Sequence, residues 1–435
     1  MNLITRRISG CIVLMFLFCG LLFCQKAQWE SLGPDGGMIQ SLLKDPGNGN
    51  ILYCAAQGKP YRIFRSTDGG NHWSQVSKID DQVLAFGNHP TVKSMLYVLA
   101  YKVSTDNTRP TRENTLYIST DGGTSWLTKE LPEQTFISKI ALDPVSPTII
   151  HAMGLLQPDY KRAYFKSTDE GKSWTQTIIA SGRGSASVLG IDPKNPNIIY
   201  VGGYTLNDSN KLVPAFYKSV DGGAHFEQMS LKITTPAVAI ISDIAIDPTA
   251  SGRLFISISN AVYRSTNGGE SWEKNSSTIL AVQRLWLDPN DSNHLFAATS
   301  PGIIESKDGG VTWKSLTGKY PGRTTNGLMF KSKPMPTVLV TNSSGIWRTV
   351  DGGKTWKSSH SGILGTTVTA LSIAPSSPNI LYSDVKFNAL YKTTVAAKPT
   401  VVWKQLPVFY TCTELSSLMI SEKDPDKIIA LEGGG

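Results

Sequence analysis

The stretch STDGGNHW, from Ser66 to Trp73, decides the fold because its pattern returns six more times along the chain. Each copy places Ser or Thr two residues before Asp or Asn, continues with glycine and ends on an aromatic residue. The Asp side chain can accept hydrogen bonds from the amides that follow it, and glycine tolerates the positive φ of a tight turn. The pattern therefore predicts a turn between two strands, with a structural residue at its centre. That residue is Asp68, Asp121, Asp169, Asp221, Asn267, Asp308 and Asp351 in turn, at intervals of 41 to 53 residues.

A second landmark keeps the same period. A proline lies between two apolar runs, as Pro144 does after ISKIAL (137–142), and the runs are short, β-branched or aromatic. Such runs are typical of strands. Each unit thus has four predicted strands: a before the proline, b after it, c before the glycine turn and d at the closing aromatic residue. Four antiparallel strands in tandem form the blade of a β-propeller.

We therefore predict an all-β fold, a propeller of four-stranded antiparallel blades with eight complete blades and a partial ninth. The run LSSLMISEKDPDKIIALEGGG at the C-terminal end supplies strands a and b of the ninth blade. Trp29 lies 44 residues before Trp73, one full period, so a strand at Trp29 is in phase to complete the last blade and close the ring. A truncated chain is the alternative.

The tandem pattern Ser/Thr-x-Asp-x-Gly-x-Thr/Ser-Trp resembles the Asp-box, or BNR, repeat. This repeat is found in sialidases, xyloglucanases, sortilin-type lumenal domains and photosystem II stability factors. The resemblance implies a β-propeller whose boxes lie at the periphery, away from the ligand face. It implies no single activity, because proteins that share a fold differ in function.

The N-terminal segment has the features of an export signal. Arg6 and Arg7 precede an apolar run of 13 residues from Ile12 to Cys24. A spanning helix needs about 20 apolar residues, so we predict a signal peptide over residues 1–27 and a propeller domain over 28–435. The protein is then secreted, or periplasmic or held at the cell surface. Membrane attachment requires a lipid on Cys24 or an uncleaved leader.

The cysteine, histidine and charge content argues against several classes of protein. Once the leader is removed, Cys54 and Cys412 are too few for a disulfide scaffold or a four-cysteine zinc site, and the six His residues show no ligand spacing. We expect no metal and no cofactor. The net charge of +8 is spread over the chain, and no nucleic-acid-binding motif is present, so we expect no nucleic acid partner and a monomer.

The connections between strands b and c are predicted to form a binding surface, because they leave the blade on the face opposite the boxes. They are longest in blades two, three and four, where they carry aromatic and basic residues suited to a glycan, an anionic group or a protein partner. Long surface loops that are merely tolerated are the alternative. The candidate residues are Tyr101, Arg109, Arg112, Tyr160, Arg162 and Tyr204.

Strand a provides a second candidate site, near the central channel. Ala141, Gly190 and Ala245 are small, but Trp286 occupies the same position in blade six, and Lys139, Val188, Asp243 and Arg284 lie two residues earlier on the same face. Asp243, Arg284 and Trp286 are therefore candidate ligand contacts. A tryptophan that fills space between blades is the alternative.

The sequence favours a binding module over an enzyme. Tyr61-Arg62-Ile63-Phe64 departs from the Arg-Ile-Pro element of sialidases, and Ala56-Gln57-Gly58-Lys59 stands where xyloglucanase-like enzymes have a catalytic Asp. Two carboxylates about 5 to 10 Å apart are needed for glycoside hydrolysis, and no motif pairs them here. We predict an exported propeller that binds a glycan, an anionic group or a protein. A glycoside hydrolase is the first alternative and an assembly or scaffold factor the second.

Overall fold

Over the residues that it describes, the computed structural model consists of antiparallel sheets. The alternation of apolar and polar residues before and after each glycine turn lets one face of every strand pack against a neighbouring sheet. The structure describes residues 36–58, 60–103, 112–133, 135–233, 239–274, 281–299, 302–316, 327–331, 337–342, 345–363, 368–385, 389–394, 403–406 and 415–432.

Seven consecutive four-stranded sheets carry the seven boxes, and in each the strands pair in chain order, which confirms the predicted blades. Their strands are β1–β4 (Ile39–Lys44, Leu52–Ala56, Tyr61–Ser66, Ser74–Ile79), β5–β8 (Gln82–Asn88, Leu96–Val103, Arg112–Ser119, Leu127–Glu130), β9–β12 (Thr135–Leu142, Ile150–Leu156, Lys161–Ser167, Thr175–Ala180), β13–β16 (Gly184–Ile191, Ile199–Leu206, Leu212–Ser219, Glu227–Gln228), β17–β20 (Ile241–Ile246, Leu254–Ile258, Ala261–Ser265, Glu273–Lys274), β21–β24 (Val282–Asp288, Asp291–Thr299, Gly302–Ser306, Lys314–Ser315) and β25–β28 (Gly327–Lys331, Thr337–Asn342, Gly345–Thr349, Lys357–Ser358).

Two further sheets follow, a four-stranded one and a two-stranded one, so the count of eight complete blades and a partial ninth is confirmed. Strand β29 packs along β33, and Tyr382, Leu390 and Leu418 are buried between the two sheets. These strands are β29–β32 (Val368–Ile373, Ile380–Val385, Ala389–Thr394, Trp403–Gln405) and β33–β34 (Leu415–Ile420, Ile428–Glu432).

The ring closes between the first and seventh sheets. Strand β1 packs against β25 as it does against β5, its other neighbour. The indole of Trp73 donates to the Ser359 carbonyl at 2.8 Å, and the amide of Gly36 donates to the Ile363 carbonyl at 2.7 Å. The C-terminal run suggested two alternatives, closure of the ring at the ninth blade or a truncated chain. Closure at the ninth blade is wrong, because the first sheet packs against the seventh. Trp29 lies outside the described residues.

The first strand of nearly every sheet contains a β-bulge near its start, which the sequence analysis missed. The pairing register shifts by one residue around Gln40, Ser138, Ser187 and Ser242, for example. Bulge side chains connect neighbouring sheets, since Ser187 Oγ donates to the Ile241 carbonyl at 2.9 Å. The bulge sets which residues of the first strand lie towards the next sheet.

Candidate functional site

The seven boxes use their polar groups within the turn. In each box the Ser or Thr hydroxyl donates to the central carboxylate or amide oxygen at 2.8 or 2.9 Å, as Ser119 does to Asp121, and accepts from the amide of the second glycine position. Asp121 also accepts from the amides of Thr124 and Ser125, both at 3.0 Å. Hydrogen bonds from the Ser125 side chain and amide lower the pKa of Asp121 to about 2. These contacts agree with the predicted structural role.

The same face also holds the contacts that join one sheet to the next. Lys166, the residue directly before the third box, donates to the Gly222 carbonyl of the fourth box at 3.1 Å. Arg348, before the seventh box, donates to Asn71 of the first box at 2.9 Å. Lys166 and Arg348 therefore link neighbouring sheets, so this face is engaged in holding the ring together.

On the opposite face, three neighbouring sheets have extended b–c hairpins. Strands β6 and β7 and strands β14 and β15 have eight residues each, and β10 and β11 have seven, whereas β18 and β19 have five. In the third and fourth sheets, the extra length predicted as loop is thus mostly paired strand. Tyr101 lies in β6 opposite Gln82 and Asn114, and Arg112 opens β7 opposite Val103. Arg109 lies outside the described residues.

Arg162 is a correction to the predicted surface, because its side chain is buried instead of exposed. It is 2% exposed, its guanidinium donates to the carbonyls of Tyr204 at 3.2 Å and Ser181 at 3.4 Å, and it lies 5.6 Å from the Tyr217 ring centre. Gly184 makes room for it, since a Cβ there would lie 2.9 Å from Arg162 Nη1. Arg162 therefore joins the third and fourth hairpins.

The tips of these two hairpins carry the exposed groups. Tyr160 is 59% exposed, and Asp159 and Lys161 beside it form an ion pair at 3.1 Å. Tyr204 is half-buried in β14. Arg183, which the sequence analysis did not single out, donates to Asn210 on the fourth hairpin at 3.3 Å. The sequence shows that Arg183 precedes a predicted inner strand. Its contact with Asn210 could not be predicted, because the two residues meet only in the folded chain.

A tyrosine pair at the first two sheets was also missed. Burial raises the pKa of Tyr61, a hydrogen bond with Gln57 opposes the shift, and the nearby Tyr101 hydroxyl adds to it. Tyr101 of the second sheet thus acts on the pKa of Tyr61 in the first sheet. The signal available in the sequence was the tyrosine at the start of strand c, which we interpreted only as a strand residue.

Three charged residues of the inner strands share one register position. Lys139, Asp243 and Arg284 each follow the bulge of their strand, in β9, β17 and β21. Lys139 and Asp243 are half-buried and Arg284 is exposed. Asp243 Oδ2 accepts from the Leu285 amide at 2.9 Å, which ties the fifth sheet to the sixth. Trp286 packs against the cluster that contains Phe296 of the sixth sheet and Leu328 of the seventh, so it fills space between sheets, the alternative considered for it.

The three charges act on one another. Burial lowers the pKa of Lys139 from its usual value, the charge of Arg284 lowers it further, and Asp243 acts in the opposite direction. Burial raises the pKa of Asp243, while Arg284, the Leu285 and Ile244 amides and Lys139 oppose that rise. The three residues therefore lie close enough to influence one another's pKa, and Asp243 is held next to the strand of Arg284 through the Leu285 amide.

The other buried acids have structural partners. Asp143 contacts His151 Nε2 at 3.2 Å, and His151 Nδ1 lies 2.5 Å from the Tyr164 hydroxyl, all inside the third sheet. His294 lies between Glu305 at 2.8 Å and Asp288 at 3.4 Å. Within the described ranges, no group of three or more His, Cys, Asp or Glu side chains is arranged to hold a metal ion, and no helix is long and apolar enough to cross a membrane.

Two family models match different parts of the chain. The sortilin (neurotensin receptor 3) model matches residues 61–211 and 114–240, and the photosynthesis system II assembly factor YCF48 model matches residues 221–374. A curated xyloglucanase of Hypocrea jecorina is 29% identical over 171 residues, which are 31% of this chain and 20% of that protein. The chain therefore spans about a fifth of that relative.

Solved propellers match more of the chain at lower identity. A xyloglucanase structure from Xanthomonas campestris covers 93% of this chain with a TM-score of 0.64 and 15% identity, and 65% of its own length is matched. YCF48 bound to D1 peptide covers 74% of this chain and 94% of its own, with a TM-score of 0.50 and 16% identity. At these identities the likeness shows the fold alone.

Proposed function

Since the chain is an Asp-box β-propeller, we propose that it is an exported binding module that holds a glycan or a protein segment on the face opposite the boxes. The observation that carries the proposal is the set of extended hairpins on three adjacent sheets. Surface hairpins supported by a rigid scaffold are common binding elements. The box face is already engaged in contacts within and between sheets.

The hairpins are well suited to hold a partner because they are fixed in place. Arg162 connects the third hairpin to the Tyr204 carbonyl of the fourth, and Arg183 connects to Asn210 at the fourth tip. An ordered surface loses less conformational entropy on binding than a loose loop. The exposed ring of Tyr160 offers an apolar area against which a sugar or a peptide side chain can pack.

Two kinds of ligand have support from the comparisons. The xyloglucanases act on a glycan, and YCF48 has been solved with a D1 peptide, so both a glycan and a protein partner are reasonable for this chain. A role as an assembly factor is a form of the second kind. We favour a glycan first, because a curated xyloglucanase is 29% identical to this chain over 171 residues.

A glycoside hydrolase is the second candidate function, and the xyloglucanase matches favour it. Its chemistry requires two carboxylates on either side of the scissile bond. The charged groups that act on Asp243 are Arg284 and Lys139, which are basic, so Asp243 has no second acid as its partner among them.

One experiment separates these functions. The purified chain is applied to a glycan array that includes xyloglucan and acidic polysaccharides, and in parallel to chromogenic glycosides. A binding module gives array signal without product release. The variant Arg109→Ala, Arg112→Ala and Tyr160→Ala should weaken binding roughly tenfold, because charge-assisted hydrogen bonds contribute about 1.5 to 3 kcal/mol each and do not add fully.

Lys307→Ala is the control, since Lys307 lies in the sixth box and its side chain is 72% exposed. It should leave binding unchanged. Equal losses from the hairpin variant and from Lys307→Ala would contradict the proposed face, and product release would favour the hydrolase. Export is tested separately, by N-terminal sequencing of the protein recovered outside the cytoplasm, where a start between Cys24 and Gln28 is expected.

A further inference from the structure

Three charged side chains are concentrated on one part of the inner ring. Lys139, Asp243 and Arg284 occupy the position that directly follows the bulge in the third, fifth and sixth sheets. The corresponding residues of the first, second and fourth sheets are Ser41, Ala85 and Val188, which are uncharged. Because the first strands surround the axis of the ring, the charge lies on one side of it and is net positive.

The two cations are available to a ligand. Arg284 is exposed, and neither it nor Lys139 lies within 4 Å of a carboxylate oxygen in the described part of the chain. Their charges disfavour each other, which is the effect that Arg284 has on Lys139. Like charges held close together in a fold are stabilised when an anion binds between them.

Asp243 adds an acceptor to this positive region. Its Oδ2 already accepts from the Leu285 amide, and an ionised carboxylate has about four acceptor positions, so it can also accept from a ligand. Ser257 stands opposite Asp243 on the paired strand; its buried hydroxyl has no hydrogen-bond partner among the described residues. The region thus combines two cations with a carboxylate acceptor and a hydroxyl.

We infer that Lys139, Arg284 and Asp243 form a binding site for an acidic sugar, whose carboxylate lies against the two cations and whose hydroxyl groups donate to Asp243. A plain anion fits less well, because Asp243 would repel it. A sugar acid suits both kinds of protein group, because its carboxylate accepts from the two cations and its hydroxyl groups donate to Asp243. This inference rests on the proposed binding function and names a ligand class for it.

Calorimetric titration of the full chain with trigalacturonic acid tests the site, with cellotriose as the neutral sugar and sulfate as the plain anion. We expect trigalacturonic acid to bind and the other two to bind at least tenfold more weakly. The double variant Lys139→Met and Arg284→Gln should lose at least tenfold in affinity. Lys307→Met with Lys354→Met removes two positive charges from exposed box loops and should change the affinity less than twofold.

Asp243→Asn separates a sugar acid from a plain anion. The side-chain oxygen of Asn can still accept from the Leu285 amide, but its amide group donates where the carboxylate accepted. Binding of trigalacturonic acid should therefore fall at least fivefold, whereas removal of the negative charge would strengthen the binding of a plain anion. Melting curves of all variants should stay within a few degrees of the parent.

Four results would overturn the inference. They are equal binding of cellotriose, an unchanged affinity in the Lys139 and Arg284 variant, tighter binding by Asp243→Asn, and channel-dependent binding of a peptide carboxylate in place of the sugar. If the array detects a neutral glycan that depends on the hairpin tips while trigalacturonic acid fails to bind, the inference is wrong and the proposed function stands. If the chain binds no glycan or protein at all, both are wrong.

Discussion

Asp121 and its counterparts define the turns because each carboxylate collects several donors at once. Asp121 accepts from the hydroxyls of Ser119 and Ser125 at 2.8 and 2.6 Å, in addition to two amides. Asn267 shows how a neutral side chain does the same: its Oδ1 accepts from the Ser271 amide, and its Nδ2 donates to the Ser271 hydroxyl. The Ser271 hydroxyl thus accepts a hydrogen bond, whereas the equivalent Ser125 hydroxyl donates one.

We therefore expect Asp121→Ala to lower stability by about 1 to 3 kcal/mol, because its donors lose their acceptor. Asp121→Asn should cost much less, as position 267 indicates. Thermal unfolding followed by circular dichroism measures both. Ligand binding should be unaffected by either change. A loss of binding without a change in melting temperature would assign the box to the ligand site instead.

The pH dependence of that stability has a definite sign. The pKa of Asp121 is about 2 in the folded state and 3.8 in the unfolded state, so the unfolded state takes up protons first as the pH falls. The contribution of the carboxylate is present above about pH 4 and is lost as the pH falls towards 2. Relative to the parent, Asp121→Asn should lose less stability over that interval. Unfolding curves at pH 5, 3.5 and 2.5 measure the difference, and parallel losses in both proteins would contradict it.

Arg162 provides the complementary case of a basic residue that is structural. Arg162→Ala leaves the carbonyls of Tyr204 and Ser181 without a donor, and we expect a loss of about 1 to 3 kcal/mol from the unpaired groups. Urea unfolding measures it. The exposed Arg183→Ala should stay within about 0.5 kcal/mol of the parent. The contradicting result is a stable Arg162→Ala protein that has lost ligand binding.

The two residues show what can be predicted at single positions. The box Asp was predictable because its partners lie within four residues of it in the chain. The burial of Arg162 was not, because its partners lie 42 and 19 residues away, on the next sheet and on the connection to it. A basic residue in a long b–c connection has the same local pattern whether it faces solvent or the neighbouring hairpin.

Among the strands, the b–c hairpins and the bulges determine which residues lie on the face opposite the boxes. The alternation in the sequence predicted strands b and c, and their spacing predicted that blades two to four were longer. The pairing of the extra residues, Leu206 with Leu212 at the end of the fourth hairpin for instance, follows from backbone hydrogen bonds that no side-chain pattern encodes. The bulge, which shifts the pairing register by one residue, could not be predicted either, because it too is set by backbone hydrogen bonds.

Gly184 tests the packing of the fourth hairpin. Its φ is ordinary, but a Cβ there would lie 2.5 Å from the Tyr204 carbonyl oxygen and 2.9 Å from Arg162 Nη1. Gly184→Ala should therefore displace backbone and lower stability by about 1 to 3 kcal/mol. Gly49→Ala is the control, since the nearest atom to its Cβ would be Lys44 Cδ at 4.0 Å. Equal melting temperatures for the two variants would show that this contact is absent in solution.

The closed ring accounts for the position of the first box against the seventh sheet. The Trp73 indole contacts the Ser359 carbonyl just as that of Trp356 contacts the Leu316 carbonyl one sheet earlier. The repeat predicted the number of blades. The point of ring closure was not predictable, because the sequence contains nine similar units and any of the later ones could pack against the first. In the structure the seventh sheet lies next to the first.

This closure predicts that the last two sheets are dispensable for the ring. A chain that ends at Ile363 retains the contacts of Gly36, Gly70 and Trp73 with the seventh sheet, so its main unfolding transition should remain cooperative and within a few degrees of the parent. Calorimetry measures that transition. Removing the seventh sheet as well should abolish it, and loss of the transition in the longer chain would contradict closure at seven.

Hydrogen–deuterium exchange with the best glycan of the array addresses the location of the binding face in one measurement. The amides of the hairpins around residues 100–114, 156–162 and 204–212 should gain protection on binding, and those of the seven boxes should not. Protection confined to the boxes, with hairpins unchanged, would contradict the assignment of the ligand to the face opposite the boxes.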